Sequence, residues 1–386
     1  MKLPFALNPA LEHLPVYQPG RPVQEVAREL GLSARRVIKM ASNENPLGPS
    51  PAALAALKKA LNDLHQYPDG NAFYLKQKLA AKLGVTPAHL VLGNGSNDII
   101  EFLGHALLGP GDEMVVSQYC FVVYPIVAKL LGARVITVPA RDYGHDLPAM
   151  LRAVSFNTKL VFVANPNNPT GTLAPAADVR RLVAELPEGV VLAMDEAYYE
   201  FLDQPLDLLP LIRAGQKPNL ILLRTFSKIY GLAGLRLGYG IAHPEFIAAL
   251  EKIRQPFNVN SLAQAAALAA LDDTAHLKKT RQNNFKGRKF LENALTGMNV
   301  PFVPSSANFV LAKVGAGQEV FGQLQRRGVI TRPMGGYELP EWIRISVGTP
   351  AENQRCVKEL RQILQLTKDK SRQESTRGLS DQPLDS

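Results

Sequence analysis

With 386 residues, 46% of them hydrophobic, the chain exceeds the size at which a single core stops growing, roughly 250–300 residues, so two domains are expected. Cys120 and Cys356 lie far apart and outside any CxxC spacing, which excludes a disulfide framework and a thiolate zinc site; no metal is expected. The 43 Lys and Arg outnumber the 34 Asp and Glu for a net charge of +9, which suits anionic ligands, while no apolar run approaches a membrane span and residues 1–5 lack the basic-then-apolar order of a leader, so a cytoplasmic protein is expected.

From about residue 86, short runs rich in Val, Leu and Ile alternate with helical patterns, at 89–92, 113–116, 134–138, 159–163, 190–194 and 220–223. Such runs require a mostly parallel sheet covered by helices on both faces, so residues 44–258 read as a large α/β domain. Beyond 258 come an Ala-rich helix, a basic helix, and strands around 308–311 and 342–347, which read as a smaller α+β domain over 259–366. In the basic helix Lys278, Lys279, Arg281, Lys286, Arg288 and Lys289 interleave with Leu277, Phe285, Phe290 and Leu291 at helical intervals, the pattern of a solvated face rather than a nucleic-acid site. Residues 367–386 are polar with little apolar periodicity, and disorder is expected there.

In a parallel sheet ligands bind beyond the carboxyl ends of the strands, and the polar segments fall there. Gly93-Asn94-Gly95-Ser96-Asn97-Asp98 ends a predicted strand and opens a helix, so backbone N–H groups at Ser96 and Asn97 can hold an anion such as phosphate. Asn165-Pro166-Asn167-Asn168-Pro169 is a rigid, helix-forbidding turn. Asp195 follows the buried run 190–194, with Tyr198 after it, and a carboxylate there needs a cationic partner to stay charged. In Thr225-Phe226-Ser227-Lys228-Ile229-Tyr230-Gly231-Leu232-Ala233-Gly234-Leu235-Arg236 a lysine is framed by hydroxyls, small residues and one arginine. An amine condenses with an aldehyde once its ammonium loses a proton, and burial beside a cation such as Arg236 eases that loss. Gly231, Ala233 and Gly234 would let backbone approach a flat ligand, while Ser227 and Arg236 offer a hydroxyl and a planar fork to a phosphate. Arg344, inside the apolar run 343–347, is costly unless an anion meets it, and Arg332 is a second candidate.

The strings Ser227-Lys228 with Gly234-Leu235-Arg236, and Asp195-Glu196-Ala197-Tyr198, resemble the signatures of the fold-type I pyridoxal-phosphate aminotransferases. That resemblance implies pyridoxal 5′-phosphate bound covalently to Lys228, with Asp195 facing its ring nitrogen. It also implies that Asn168 and Tyr198 contact the ring's phenolic oxygen, that Phe121 stacks on the ring, that Gly95, Ser96, Asn97, Ser227 and Arg236 surround the phosphate, and that the arm 1–43 joins the small domain. Lys228, Asp195 and Tyr198 would be the catalytic groups.

The strings at 16–21, 41–48, 66–70 and 332–337 further resemble the histidinol-phosphate aminotransferases, leaving the C-terminal tail unmatched. This implies amino exchange between L-glutamate and imidazole acetol phosphate in histidine biosynthesis. Tyr17, Asn45, Arg332 and Arg344 would then meet substrate, with Arg344 also serving glutamate's carboxylate, and Tyr67 would reach the cofactor phosphate of the partner subunit in a homodimer. Ser117-Gln118-Tyr119-Cys120-Phe121 departs from the proline-and-threonine opening common there, and Trp342 stands close to Arg344, so phenylalanine or tyrosine transamination is a second reading. A decarboxylase or lyase of the same fold is a third. Cofactor-binding regulators join this fold to a DNA-binding domain, for which only the residues before Asn43 are at hand, so an enzyme is expected.

Overall fold

The computed structural model describes residues 5, 7–12, 14, 16 and 20–380, with side chains described to residue 366. In chain order the strands are β1 (Ile38–Lys39), β2 (Leu90–Gly93), β3 (Glu113–Ser117), β4 (Arg134–Val138), β5 (Thr158–Ala164), β6 (Val191–Asp195), β7 (Leu220–Thr225), β8 (Gly238–Ile241), β9 (Phe302–Val303), β10 (Phe309–Lys313), β11 (Val329–Ile330), β12 (Arg332–Pro333) and β13 (Trp342–Ser346). Two compact units emerge: one holds Glu44–Gln282, Ser305–Asn308 and the described residues before 19; the other holds the segment up to Asn43, Asn283–Pro304 and Phe309 onward.

The first unit carries a seven-stranded sheet in the order β2-β8-β7-β6-β5-β3-β4. Every pairing is parallel except those of β8, which runs antiparallel to β2 on one side and β7 on the other. β2, β3, β7 and β8 are buried along their whole length, the pattern of a sheet covered on both faces. One cover comes from the helices Ser96–Leu107 and Val123–Leu130, whose Ile99, Leu103, Tyr124 and Val127 pack onto Val91, Met114, Phe162 and Leu223. Such a core of interlocked Leu, Ile, Val and Phe contributes about 1.5–3 kcal/mol per buried side chain, so it fixes the strand ends that carry the polar segments.

The register sets those ends in rows. Gly238, at the start of β8, lies between Gly93 at the end of β2 and Thr225 at the end of β7. Asp195, at the end of β6, lies between Ala164 and Leu223.

The unit extends past the boundary at 258 expected from the sequence. The helix Ser261–Ala270 buries Ala263, Ala266, Ala267 and Ala270 and packs on the helices Pro51–Ala60 and Phe73–Leu83, because a face of methyl groups lets helices approach closely. The division between units falls within the helix Thr274–Gly297.

The second unit carries a four-stranded antiparallel sheet, β12-β13-β10-β9, and a parallel β1-β11 pair. Strand alternation sends Ile343 and Ile345 of β13 into a core with Val310, Leu324, Cys356, Leu360 and Ile363, and places Arg344 on the other side of the strand. The final helix runs Pro350–Ser380.

Candidate active site

At the end of β2 the chain turns through Gly95, with φ 82°, into the helix Ser96–Leu107. The first N–H groups of a helix lack partners within it and carry its positive end. Two glycines keep this terminus open. A Cβ at Gly238 would collide with the Ser96 nitrogen, and one at Gly95 would run into the guanidinium of Arg236, whose Cζ would lie 3.0 Å away. Arg236 takes the left-handed conformation at φ 57°, and its Nη2 donates to the Asn94 carbonyl at 3.4 Å. The guanidinium is therefore poised over the helix start while the residue stays exposed.

Gly238 in turn pairs with Thr225, and the chain then continues to Ser227 and Lys228. Ser227 is buried, its N–H bonds Thr225 Oγ1 at 3.1 Å, and its own Oγ has no hydrogen-bond partner among the described residues. A buried orphan hydroxyl costs free energy unless a ligand meets it. With the bare helix terminus and the guanidinium, it makes a cradle for a phosphate. The sequence attributes the small residues of 231–234 to ligand approach, whereas Gly231, at φ 69°, abuts the carbonyl of Gly48, and Gly234 faces open space.

Asp195 is buried and close to Lys228. The lysine ammonium lies 5.8 Å from the centroid of the Tyr198 ring and acts on the charge of Asp195. Burial pushes the Asp195 carboxyl above its usual range, against the hydroxyl of Tyr124, the N–H of Ala197 and the charge of Lys228. Tyr124 Oη donates to Asp195 Oδ2 at 2.6 Å and the Ala197 N–H to Oδ1 at 3.1 Å. A buried anion held by two donors beside an amine is the arrangement that keeps a second cation, such as a protonated ring nitrogen, in place.

Sequence reasoning passed over Tyr124. Its one signal is its place a helical turn after Phe121, and a tyrosine in the apolar stretch 121–128 reads as core. Phe121 is half-buried and meets the Tyr124 ring edge-on, centroids 5.7 Å apart. Asn168 is half-buried beyond the end of β5, in a loop held by the buried Asn167, whose Nδ2 donates to the Tyr119 carbonyl at 2.7 Å and to Thr170 Oγ1 at 2.9 Å. Asn97 is half-buried in the first turn of its helix.

Tyr67 is 83% exposed and stacks on Phe257, centroids 4.7 Å apart. Asn45 is buried and engaged within the protein. Its Nδ2 donates to the Ile229 carbonyl at 2.9 Å and to Thr280 Oγ1 at 3.2 Å, and its Oδ1 accepts the Leu47 N–H at 3.0 Å. The first of these bonds ties Asn45 to the segment after Lys228, the second to the helix Thr274–Gly297, and the third closes its own turn. Tyr17 lies outside the described residues.

In the second unit Arg332 of β12 pairs directly with Arg344 of β13. Residues paired across an antiparallel ladder project to the same face, so the two arginine side chains leave the sheet on one side. Arg344 is buried, donates from Nη2 to the Ala41 carbonyl at 2.9 Å, and lies 5.1 Å from the Phe309 ring centroid.

Residues 35–360 match the family model for aminotransferase class I and II. The chain belongs to this family. Among relatives of this aminotransferase, the histidinol-phosphate aminotransferase of Akkermansia muciniphila is 49% identical over 361 residues, 93% of this chain and 99% of its own. Histidinol-phosphate aminotransferase 2 of Ralstonia nicotianae is 52% identical over 354 residues, 90% of this chain and 94% of its own. The crystal structure of histidinol-phosphate aminotransferase from Sinorhizobium meliloti in complex with pyridoxal-5′-phosphate superposes with a TM-score of 0.86 at 31% identity, covering 94% of this chain and 98% of that one. The Ser227 hydroxyl, without a partner among the described residues, and the glycine-bared helix start offer donors to a phosphate, and the Asp195 carboxylate offers an acceptor to a protonated ring nitrogen, so together they fit a phosphorylated pyridine aldehyde.

Proposed function

We propose that the chain is a pyridoxal-phosphate-dependent aminotransferase that exchanges the amino group between L-glutamate and imidazole acetol phosphate, giving L-histidinol phosphate in histidine biosynthesis. The observation that carries the chemistry is the grouping of Lys228, Asp195 and Tyr198 at the carboxyl edge of one sheet, next to an open helix terminus. When bound, pyridoxal 5′-phosphate supplies an electron-withdrawing ring that stabilises negative charge on the substrate's α-carbon. The amine of Lys228 anchors the cofactor aldehyde, and once released it moves the proton that leaves the α-carbon. With the cofactor bound, Asp195 would hold the positive charge on the ring nitrogen, Tyr198 and Asn168 would bind the phenolic oxygen, Phe121 would offer its face to the ring, and Gly95, Ser96, Asn97, Ser227 and Arg236 would hold the phosphate.

The paired Arg332 and Arg344 support a phosphorylated acceptor, because a dianion offsets two facing cations better than a neutral ring does. Arg344 alone would take the carboxylate of glutamate, and Tyr17 would join the substrate phosphate. Trp342, two residues before Arg344 on the same strand and so on the same face, supports a second reading, transamination of phenylalanine or tyrosine. A homodimer, in which Tyr67 reaches the partner's cofactor phosphate, accounts for the exposure of Tyr67, Phe73, Tyr74 and Phe257. No helix among the described residues is long and apolar enough to cross a membrane, and the cytoplasm is the compartment proposed here for such a biosynthetic role.

The test is an absorbance spectrum of the protein loaded with pyridoxal 5′-phosphate, with and without Lys228→Ala, followed by turnover of histidinol phosphate and of phenylalanine as amino donors with 2-oxoglutarate as acceptor, read as glutamate formed. A lysine-dependent visible band and preference for histidinol phosphate are expected. An intact protein with no such band would refute the chemistry, and preference for phenylalanine would refute the substrate.

A further inference from the structure

Resting on that reading of Asp195, we propose that the hydroxyl of Tyr124 positions the Asp195 carboxylate, choosing which oxygen faces the cofactor's ring nitrogen and keeping the proton on that nitrogen rather than on the acid. Tyr124 is fully buried, and its Oη is 2.6 Å from Asp195 Oδ2. The Ala197 N–H occupies Oδ1, so the carboxylate is fixed in plane by one donor on each oxygen and keeps its remaining lone pairs for the ring nitrogen. Nothing in the packing alone calls for a tyrosine there. The ring stacks on Phe162 of β5 at 4.2 Å and 5°, a contact a phenylalanine would make equally, whereas a buried phenol without an acceptor is costly.

The same short segment also supplies the ring-facing aromatic. The Tyr124 N–H bonds the Phe121 carbonyl at 3.1 Å, so the residue against the ring and the donor to the acid move as one piece. The other titratable groups facing the pair are Lys228, Tyr198 and Cys120. Burial pushes the Cys120 thiol up to about 12, so it stays neutral, and burial together with Asp195 holds the Tyr124 phenol well above its ordinary value, so it remains a donor. Burial drives Asp195 toward its neutral form, and the Tyr124 hydroxyl is the foremost opposing influence.

The experiment compares wild type with Tyr124→Phe as full-length protein, measuring the dissociation constant for pyridoxal 5′-phosphate across pH and the kcat and KM for glutamate. Hydrogen bonds to a charged acceptor carry about tenfold or more, so the variant should bind the cofactor about tenfold more weakly, with the acid-side midpoint moved up by about one unit. The kcat should fall while KM stays near wild type. A fluorinated tyrosine at 124, which keeps the packing and strengthens the donor, should move the midpoint the other way. Phe162→Leu perturbs the same packing without touching the hydroxyl and should leave the midpoint in place. The proposal is overturned if Tyr124→Phe and the fluorinated protein keep the wild-type midpoint, or if Phe162→Leu shifts it equally. A wild-type protein that fails to bind the cofactor sinks this inference and the functional reading together, whereas a wild type that binds normally beside an unaltered variant sinks this inference alone.

Discussion

Adding one methyl group at Gly238 should separate phosphate recognition from recognition of the rest of the cofactor. In the structure a Cβ there would lie 2.6 Å from the carbonyl carbon of Gly95 and collide with the Ser96 nitrogen. Ordinary contact begins at 3.4 Å, so the backbone must yield by about 0.8 Å, and no side-chain rotation can supply that. β8 is held by ladders on both sides, so the helix start at Ser96 is the part that moves. Overpacking of this kind costs about 1–3 kcal/mol of stability. Displacing one charge-assisted N–H···phosphate bond costs about 1.5–3 kcal/mol of affinity, roughly 10- to 150-fold. The assay is a titration of Gly238→Ala with pyridoxal 5′-phosphate and with pyridoxal. Wild type should prefer the phosphorylated form strongly, and the variant should lose most of that preference while its affinity for pyridoxal changes little. Gly234→Ala, at a position that faces open space, is the control and should behave as wild type. If Gly238→Ala retains the full preference for the phosphorylated cofactor, the cradle is elsewhere.

The facing arginines lead to a second expectation: Arg332→Ala should raise KM for histidinol phosphate by about tenfold to a hundredfold and change KM for glutamate far less, as steady-state kinetics with each donor will tell. The buried acid next to Asp195 leads to a third. Glu196 pairs with Arg224 at 2.8 Å, both under 7% exposed, yet burial outweighs the arginine and raises Glu196 from 4.5 to about 7. A carboxyl raised in the folded state contributes stability that is complete below pH 4.5 and is lost as pH climbs through about 7. Thermal unfolding at pH 5 and pH 8 should therefore show wild type losing stability between them, and Glu196→Gln, which keeps a neutral group of the same shape, should flatten that difference. Equal pH dependence in the two proteins would rule out Glu196 as its source.

The parallel strands were legible because each is a run of branched and apolar residues, and their carboxyl ends coincide with the polar strings. That logic alone brought Asp195 and Lys228 to one edge of the sheet. β8 was not legible: Gly-Tyr-Gly-Ile has no apolar run, since Gly238 must admit Ser96 and Gly240 is crowded by Val91, Ile99 and Ile221. Tyr124 was hidden by its surroundings, which read as core until the hydroxyl's direction is known.

β8 has a neighbour running the opposite way on each side, and the reversal that leads into it carries both Lys228 and Arg236. Sliding that strand by a single position would exchange its two faces, driving Tyr239 toward the space that Gly238 now leaves vacant. The amine and the guanidinium are thus spaced by a ladder that admits only whole, disruptive steps. Laboratory evolution of this enzyme should accordingly find its gradual improvements on β12 and β13, and almost none between residues 226 and 238.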